Sequence, residues 1–166
     1  RKDFAASGLR CGTLVTENKD VLSAVEALAY WASVSGDTQF MLGEMIADDT
    51  WVDSYIATMR KRLAGAYRDV TSRLDAAGVP YIPSEAGFFF LVDLRRWLSE
   101  PTFEAENALW HRLLDEANVS LTPGSACRIA EPGFMRLCFA AVSLETAAVG
   151  VERMVRVLSR QRSGVA

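Results

Sequence analysis

The feature that most constrains the fold is a long, uninterrupted helical pattern over residues 50–77. Apolar side chains recur there at spacings of three and four, which is the period of one helix face. They are Trp51, Tyr55, Met59, Leu63, Ala66, Val70 and Leu74. Gly78 is a suitable residue to end the helix, and Pro80 prevents it from restarting. Because a helix of this length often joins two lobes, we expect a domain boundary near its start, within residues 48–55.

The segments on the two sides of this helix differ in pattern. Before it, an apolar run predicts a buried strand over residues 9–15, and amphipathic periodicity predicts a helix over 19–33 and a second helix that ends at residue 47. Asp37 or Thr38 is the expected N-cap of the second helix. After it, strands are predicted at 79–82, 87–92, 119–121 and 135–140, and helices at 103–117 and 144–160. The run over 87–92 is nearly all apolar, as expected for a central strand that is covered on both faces. Strands joined through helices indicate an α/β fold with an α+β small domain, divided into domains 1–48 and 49–166.

The composition argues against several classes of function. The chain has 166 residues and a net charge of -3, so it offers no electrostatic footprint for nucleic acid or an anionic membrane. No apolar run approaches the roughly 20 residues that a membrane-spanning helix needs. Cys11, Cys127 and Cys138 lack paired spacing, and His111 is the single histidine. We therefore expect no metal site and reduced thiols in a cytoplasmic protein. The first residues do not form a signal peptide, and we expect the chain to begin inside a longer protein.

Two basic side chains near the N-terminus are suited to a phosphorylated aldehyde. Lys2 supplies a primary amine, which attacks an aldehyde in its neutral form. Arg10 follows Ser7 and Gly8, and a guanidinium binds phosphate in a bidentate way that a lysine does not match. The ordinary alternatives are a solvated lysine and an arginine in a surface ion pair. On these residues alone, both interpretations stay open.

Arg136 is a charged residue inside the apolar run 135–140. If this strand alternates, Arg136 lies on the face opposite to its two neighbours. A charge inside an apolar strand is costly unless it is paired. One interpretation is a clamp for a substrate carboxylate, in the same cleft as the two N-terminal cations. The other is a structural ion pair with Asp93 or Glu131, and the sequence supports the two equally. Together the three cations suggest a pyridoxal-phosphate (PLP) site.

Five short motifs occur in order along the chain. They are RKDFAASGLRCG at 1–12, SGDTQ at 35–39, AGFF at 86–89, LTPGSAC at 121–127 and EPGFMRLCFA at 131–140. These motifs resemble the class I/II aminotransferase family of fold-type I PLP enzymes. Within that family the chain is most similar to the 1-aminocyclopropane-1-carboxylate (ACC) synthases and the ACC synthase-like proteins, which carry SKDLGLPGFRVG, SSQTQ, AGLF, ISPGSSC and EPGWFRVCFA. The resemblance spans almost the whole chain.

The resemblance implies a fold, a cofactor and three site residues. The fold would be the C-terminal part of a PLP-dependent transferase, namely the end of the large domain followed by the small domain. Lys2 would form the Schiff base with PLP and move the substrate's α-proton. Arg10 would bind the cofactor phosphate, and Arg136 would hold the α-carboxylate of an amino-acid substrate. The family's other cofactor contacts lie in the missing N-terminal large-domain segment, so the resemblance implies that segment as one partner. Family members are homodimers, so it also implies a second copy of the protein.

The resemblance leaves the activity of the parent enzyme open. One activity is the ACC synthase-like α,γ-elimination of methylthioadenosine from S-adenosylmethionine, and the other is amino transfer. Departures from the family pattern at Arg1 and Ala6 favour an alternative, in which the chain is a non-catalytic, isolated or degenerate domain that serves as an interaction module. We expect the chain alone to bind PLP weakly, to have negligible turnover and to self-associate through exposed apolar surface.

Overall fold

The computed structural model describes residues 4–162. Lys2, the predicted Schiff-base lysine, lies outside the described residues. The chain forms two compact units, Arg1–Lys61 and Arg62–Ala166. The predicted domain boundary after residue 48 stays a prediction.

From residue 4 onward, the first unit contains a 3-10 turn and two helices before the long helix begins. The helices are α1 (Lys19–Ala32), α2 (Gly36–Ala47) and α3 (Asp49–Ala76), and α3 contains the boundary between the units. Asn18 caps α1, since its side-chain oxygen accepts hydrogen bonds from two backbone N–H groups of the first turn. Ser35 caps α2 in the same way, accepting from the backbone N–H of Thr38 at 3.3 Å. The three predicted helices are therefore present, and α1 and α3 begin within about one residue of their expected starts. Helix α2 begins earlier than expected, because Ser35, and not Asp37 or Thr38, is its N-cap.

The predicted strand over residues 9–15 is wrong. The structure has a 3-10 turn at Ser7–Leu9 and no regular secondary structure over residues 10–18. Residues 4–61 contain no strand with which an extended segment could pair. An unpaired strand leaves its backbone N–H and C=O groups without partners, so an apolar run alone does not form one.

The second unit is built on a four-stranded antiparallel sheet. Its strands are β1 (Tyr81–Ile82), β2 (Phe89–Asp93), β3 (Thr122–Pro123) and β4 (Phe134–Cys138), in the spatial order β1-β2-β4-β3. Helix α4 (Phe103–Ala117) lies between β2 and β3 in the chain, and α5 (Leu144–Arg162) follows β4. Helix α4 has the predicted bounds, whereas the third strand begins just after its predicted position at 119–121.

The two faces of this sheet have different environments. Phe90 and Val92 of β2, and Met135 and Leu137 of β4, are buried in one cluster with residues of α3, α4 and α5. The alternate residues of both strands are half-buried or exposed. The prediction that the run over 87–92 is covered on both faces is therefore wrong, because the helices cover only one face of this antiparallel sheet. The other face carries Arg136.

The first unit leaves much apolar surface exposed. Helices α1 and α2 contain no buried residue. Seven large hydrophobic residues among the described residues of this unit are more than half exposed, including Leu28 at 65%, Tyr30 at 82%, Trp31 at 84% and Phe40 at 72%. An apolar surface of this kind is a common site of association. The expected exposure is therefore present, and self-association of the chain stays a prediction.

Candidate functional site

Arg136 lies in the middle of β4, with a strand on each side. Its Cα partners are Leu91 of β2 and Thr122 of β3. The neighbouring residues Met135 and Leu137 point into the core, whereas Arg136 is half-buried on the opposite face. The predicted alternation of this strand is confirmed. It places a permanent positive charge on the face of the sheet that the helices do not cover.

The guanidinium of Arg136 is held by neutral groups. Its Nη2 donates a hydrogen bond to the Thr122 hydroxyl at 3.2 Å, and its Cζ lies 5.0 Å from the centre of the Phe89 ring. Within the described residues, Arg136 makes no ion pair with a carboxylate. These contacts orient the guanidinium without neutralising it, so its charge is available to an anionic ligand.

The alternative in which Arg136 forms a structural ion pair with Asp93 or Glu131 is wrong. Asp93 and Glu131 both pair with Arg95 instead, at 2.7 Å and 3.0 Å. The sheet register explains this choice. Asp93 lies opposite Phe134, so it is displaced along the strand from Arg136. The side chain of Arg95, two residues beyond Asp93 in the chain, folds back onto it and also covers the Phe134 ring.

Asp93→Asn is expected to lower the free energy of unfolding by about 1 kcal/mol at neutral pH. Hydrogen bonds from the Arg95 side chain hold the pKa of Asp93 below its ordinary value. A depressed folded-state pKa gives stabilisation above the unfolded-state pKa of about 3.9, and this is lost as the pH falls through the folded-state pKa. Urea unfolding of the two chains should differ at neutral pH and converge in strong acid. A pH-independent difference, or an equal effect of replacing the exposed turn residue Glu85 with glutamine, would contradict the assignment.

A mostly apolar cavity of about 380 Å³ adjoins Arg136. Its lining includes Ile82, Pro83, Phe89, Leu91, Cys127 and Ile129. Strands β1, β2 and β4 supply one side, and the loop after β3 supplies Cys127 and Ile129. A cation beside apolar walls fits a ligand with one anionic group attached to a less polar body.

The loop after β3 depends on two glycines of the predicted motifs. Gly124 is buried, and a Cβ at this position would lie 2.4 Å from the backbone oxygen of Phe134. Gly133 has a φ of 99°, and a Cβ there would lie 2.7 Å from the Arg95 side chain. A side chain at Gly124 would therefore press on the backbone of the strand that carries Arg136, and one at Gly133 would be strained and would clash with Arg95.

Sequence reasoning missed Glu106, the most buried charged residue of the site region. It has an exposed fraction of 0%, and its carboxylate accepts hydrogen bonds from backbone N–H groups of the loop after β3. The sequence does contain a pattern that could have identified Glu106. Glu106 occupies the same helical face as Leu109 and Leu113, at spacings of three and seven, where an unpaired charge is unusual.

Arg10 belongs to the first unit. It ends the 3-10 turn in the left-handed conformation, with a φ of 50°, which costs a non-glycine residue roughly 1 kcal/mol. Its side chain is exposed and makes no ion pair within the described residues. Ser7, at the start of the same turn, is also exposed. A free guanidinium and a nearby hydroxyl have the donor chemistry that a phosphate requires, so Arg10 stays a predicted phosphate ligand.

The structure does not test whether the three predicted cations form one site. Lys2 is outside the described residues, and Arg10 and Arg136 belong to different units. Their roles and their convergence therefore stay predictions.

Between residues 4 and 162, no group of three histidine, cysteine or carboxylate side chains is placed to hold a metal ion. In the same part of the chain, none of the helices combines the length and the apolar character required to cross a bilayer. His111 is exposed on α4 and packs against Trp110, with 4.8 Å between ring centres.

Comparison with known proteins gives the family. The family model for aminotransferase class I and II matches residues 2–154. The chain belongs to this family. ACC synthase 8 of Arabidopsis thaliana is 36% identical over 155 residues, which is 93% of this chain and 33% of that protein. ACC synthase-like protein 1 of Homo sapiens is 40% identical over 159 residues, or 95% of this chain and 31% of that protein. The chain spans about a third of the length of the curated relatives it matches.

Solved structures of the family share the fold. The aromatic aminotransferase from Pyrococcus horikoshii OT3 has a TM-score of 0.84 at 24% identity, covering 97% of this chain and 42% of that one. The aspartate aminotransferase from Thermus thermophilus with maleate has a TM-score of 0.76 at 25% identity, covering 94% and 39%. The predicted fold, the C-terminal part of a PLP-dependent transferase with helices and a small antiparallel sheet, is confirmed. The resemblance to ACC synthase-like proteins is confirmed as well.

Proposed function

We propose that this chain is the C-terminal part of a PLP-dependent enzyme that acts on α-amino acids. The observation that carries the proposal is the guanidinium of Arg136, which is oriented by Thr122 and Phe89 but paired with no carboxylate among the described residues. An α-carboxylate would supply the missing negative charge through two parallel hydrogen bonds. The apolar cavity beside it would receive the rest of the substrate.

The remaining roles follow from the family membership and from side-chain chemistry. PLP, when bound, supplies an electron sink for the bond that breaks at the substrate's α-carbon. Arg10 and Ser7 would hold its phosphate at the 3-10 turn. The amine of Lys2 would carry the cofactor and, once released, would accept and return the α-proton at Nζ. Arg136 would fix the orientation of the α-carbon relative to that amine.

The parent enzyme is proposed to catalyse the reaction of the ACC synthases or an amino transfer. Relatives that carry the name ACC synthase, or ACC synthase-like protein, match at 32–40% identity over more than nine-tenths of the chain, which supports the first. The residues described here serve both reactions. The full-length protein should be given S-adenosylmethionine and, separately, amino acids with a keto-acid acceptor. Release of methylthioadenosine supports the lyase, formation of a new keto acid supports the transferase, and neither product would refute both.

The proposal extends to the surroundings of the enzyme. We propose a cytoplasmic homodimer in which the N-terminal large-domain segment completes the cofactor site. Light scattering tests this assembly by comparing the molar mass of the full-length protein with that of the chain that lacks the large-domain segment. The full-length protein should have the mass of a dimer. Apart from the departures from the family pattern at Arg1 and Ala6, nothing specific in the described part of the chain favours the alternative of a non-catalytic interaction module.

Thr122→Val is expected to raise KM for the amino-acid substrate about tenfold, with a smaller effect on kcat. Valine keeps the shape of threonine but lacks the hydroxyl that accepts from Arg136 Nη2. Thr122→Ser retains the hydroxyl and is the matched control, and its KM should stay near the wild-type value. Equal KM values for the valine and serine variants would show that this hydrogen bond does not orient the substrate clamp.

A further inference from the structure

Glu106 is a buried carboxylate that binds two separate points of the loop after β3. It lies on the inner face of α4 with an exposed fraction of 0%. Its Oε1 accepts a hydrogen bond from the backbone N–H of Ser125 at 3.0 Å, and its Oε2 accepts one from the backbone N–H of Gly133 at 2.7 Å. One side chain therefore closes both ends of the segment 125–133.

The position of these two amides relates Glu106 to the arginine site. Ser125 lies three residues after Thr122, and Gly133 lies three residues before Arg136. Thr122 and Arg136 are the partners of the hydrogen bond that orients the guanidinium. The carboxylate of Glu106 thus fixes the two backbone segments that meet in this bond. The loop between the two amides also carries Cys127 and Ile129, which form part of the cavity wall.

The chemistry of the contact requires a carboxylate. Both partners are N–H donors, so the side chain must offer an acceptor to each of them. Glutamine has one acceptor oxygen and one amide group that donates, so it would direct a donor against one of the two N–H groups. No cation pairs with Glu106 among the described residues, and the two charge-assisted hydrogen bonds are what compensates its burial. Gly124 completes the fit, because a Cβ there would lie 3.3 Å from Glu106 Oε2.

We propose that Glu106 is a positioning residue for the Arg136 clamp. It holds the segments before and after the loop at a fixed separation, and so sets the orientation of the guanidinium and the width of the adjoining cavity. It does not touch the substrate or the cofactor. The inference rests on the proposed function, in which Arg136 binds the substrate's α-carboxylate.

The test is a set of variants in the full-length enzyme. Glu106→Gln should raise KM for the amino-acid substrate about tenfold or more while kcat changes much less. Glu104→Gln, an exposed neutral replacement on the same helix, is the matched control and should leave both constants unchanged. Urea unfolding of each variant reports whether it is folded. If Glu106→Gln does not fold, Glu106→Asp is used in its place. Aspartate keeps both acceptors, but its shorter side chain draws them back from the two amides, so the same rise in KM is expected.

A double-mutant cycle separates a positioning role from general loss of structure. If Glu106 acts through Arg136, its replacement should change KM little once Arg136 has been replaced by lysine. Equal effects of the Glu106 variant in both backgrounds would overturn the inference, as would a wild-type KM for the folded variant. The arms also distinguish the two proposals. If Arg136→Lys itself leaves KM unchanged, the proposed substrate clamp fails. If Arg136→Lys raises KM and the Glu106 variant does not, only the positioning role fails.

Discussion

Replacing Lys2 with alanine in the full-length enzyme is expected to abolish measurable turnover. Its amine is proposed both to carry the cofactor and to transfer the α-proton. Loss of general acid–base catalysis alone lowers kcat by about 10²–10⁴-fold, and loss of the covalent step adds to this. Steady-state kinetics with the amino acid that the wild-type enzyme accepts provides the measurement.

A chemical readout accompanies this variant. Borohydride reduction after addition of PLP should attach the cofactor to the peptide that contains Lys2 in the wild-type protein, and mass analysis should find no such adduct in Lys2→Ala. Lys19→Ala is the control, because Lys19 is an exposed lysine at the start of α1. Turnover and labelling that persist in Lys2→Ala would assign the cofactor to a different lysine. Loss of both in Lys19→Ala would do the same.

Replacing Arg136 with alanine is expected to lower kcat/KM by about 10²–10³-fold, with most of the effect in KM. The substitution removes the proposed bidentate partner of the α-carboxylate, a guanidinium that Thr122 orients and that no carboxylate of the described residues neutralises. Arg136→Lys should recover only part of the loss, because lysine keeps the charge but not the two parallel donors.

The control for Arg136 is a surface arginine of the same unit. Arg112 pairs with Glu116 along α4 at 3.1 Å, so Arg112→Gln should leave kcat/KM near the wild-type value. Substrates without a carboxylate extend the test. The wild-type enzyme should have a low kcat/KM for them, and Arg136→Ala should not lower this value further. A normal KM for the amino acid in a folded Arg136→Ala variant would remove the main support for the proposed function.

Local sequence signals were sufficient for the helices. The apolar period predicted α3 (Asp49–Ala76), and the pattern over 103–117 gave both ends of α4. These signals succeed because a helix closes its hydrogen bonds within one segment, so its bounds depend on nearby residues. Arg136 was also placed correctly on its strand face, since alternation is a local property of a strand.

Contacts between residues that are far apart in the chain could not be predicted from local patterns. The segment over 9–15 had the composition of a strand, but the described part of its unit has no partner for it. The ion pair of Asp93 depended on the register between β2 and β4, which puts it opposite Phe134 and leaves it to Arg95. Glu106 was missed because its two partners are backbone amides. Every residue except proline has such an amide, so the residue types do not indicate which ones bind a carboxylate. The proposed roles of Lys2 and Arg10 come from the resemblance to a known family, because local patterns alone left them open.

The most direct test is a crystal structure of the full-length enzyme with PLP and an unreactive amino-acid analogue. We predict one ligand site in which Lys2 Nζ faces the cofactor's aldehyde carbon, the guanidinium of Arg10 binds the phosphate, and the guanidinium of Arg136 binds the analogue's carboxylate with N–O distances of about 2.8 Å. A well-ordered structure in which these three side chains lie on separate surfaces, with the analogue bound elsewhere, would contradict the account.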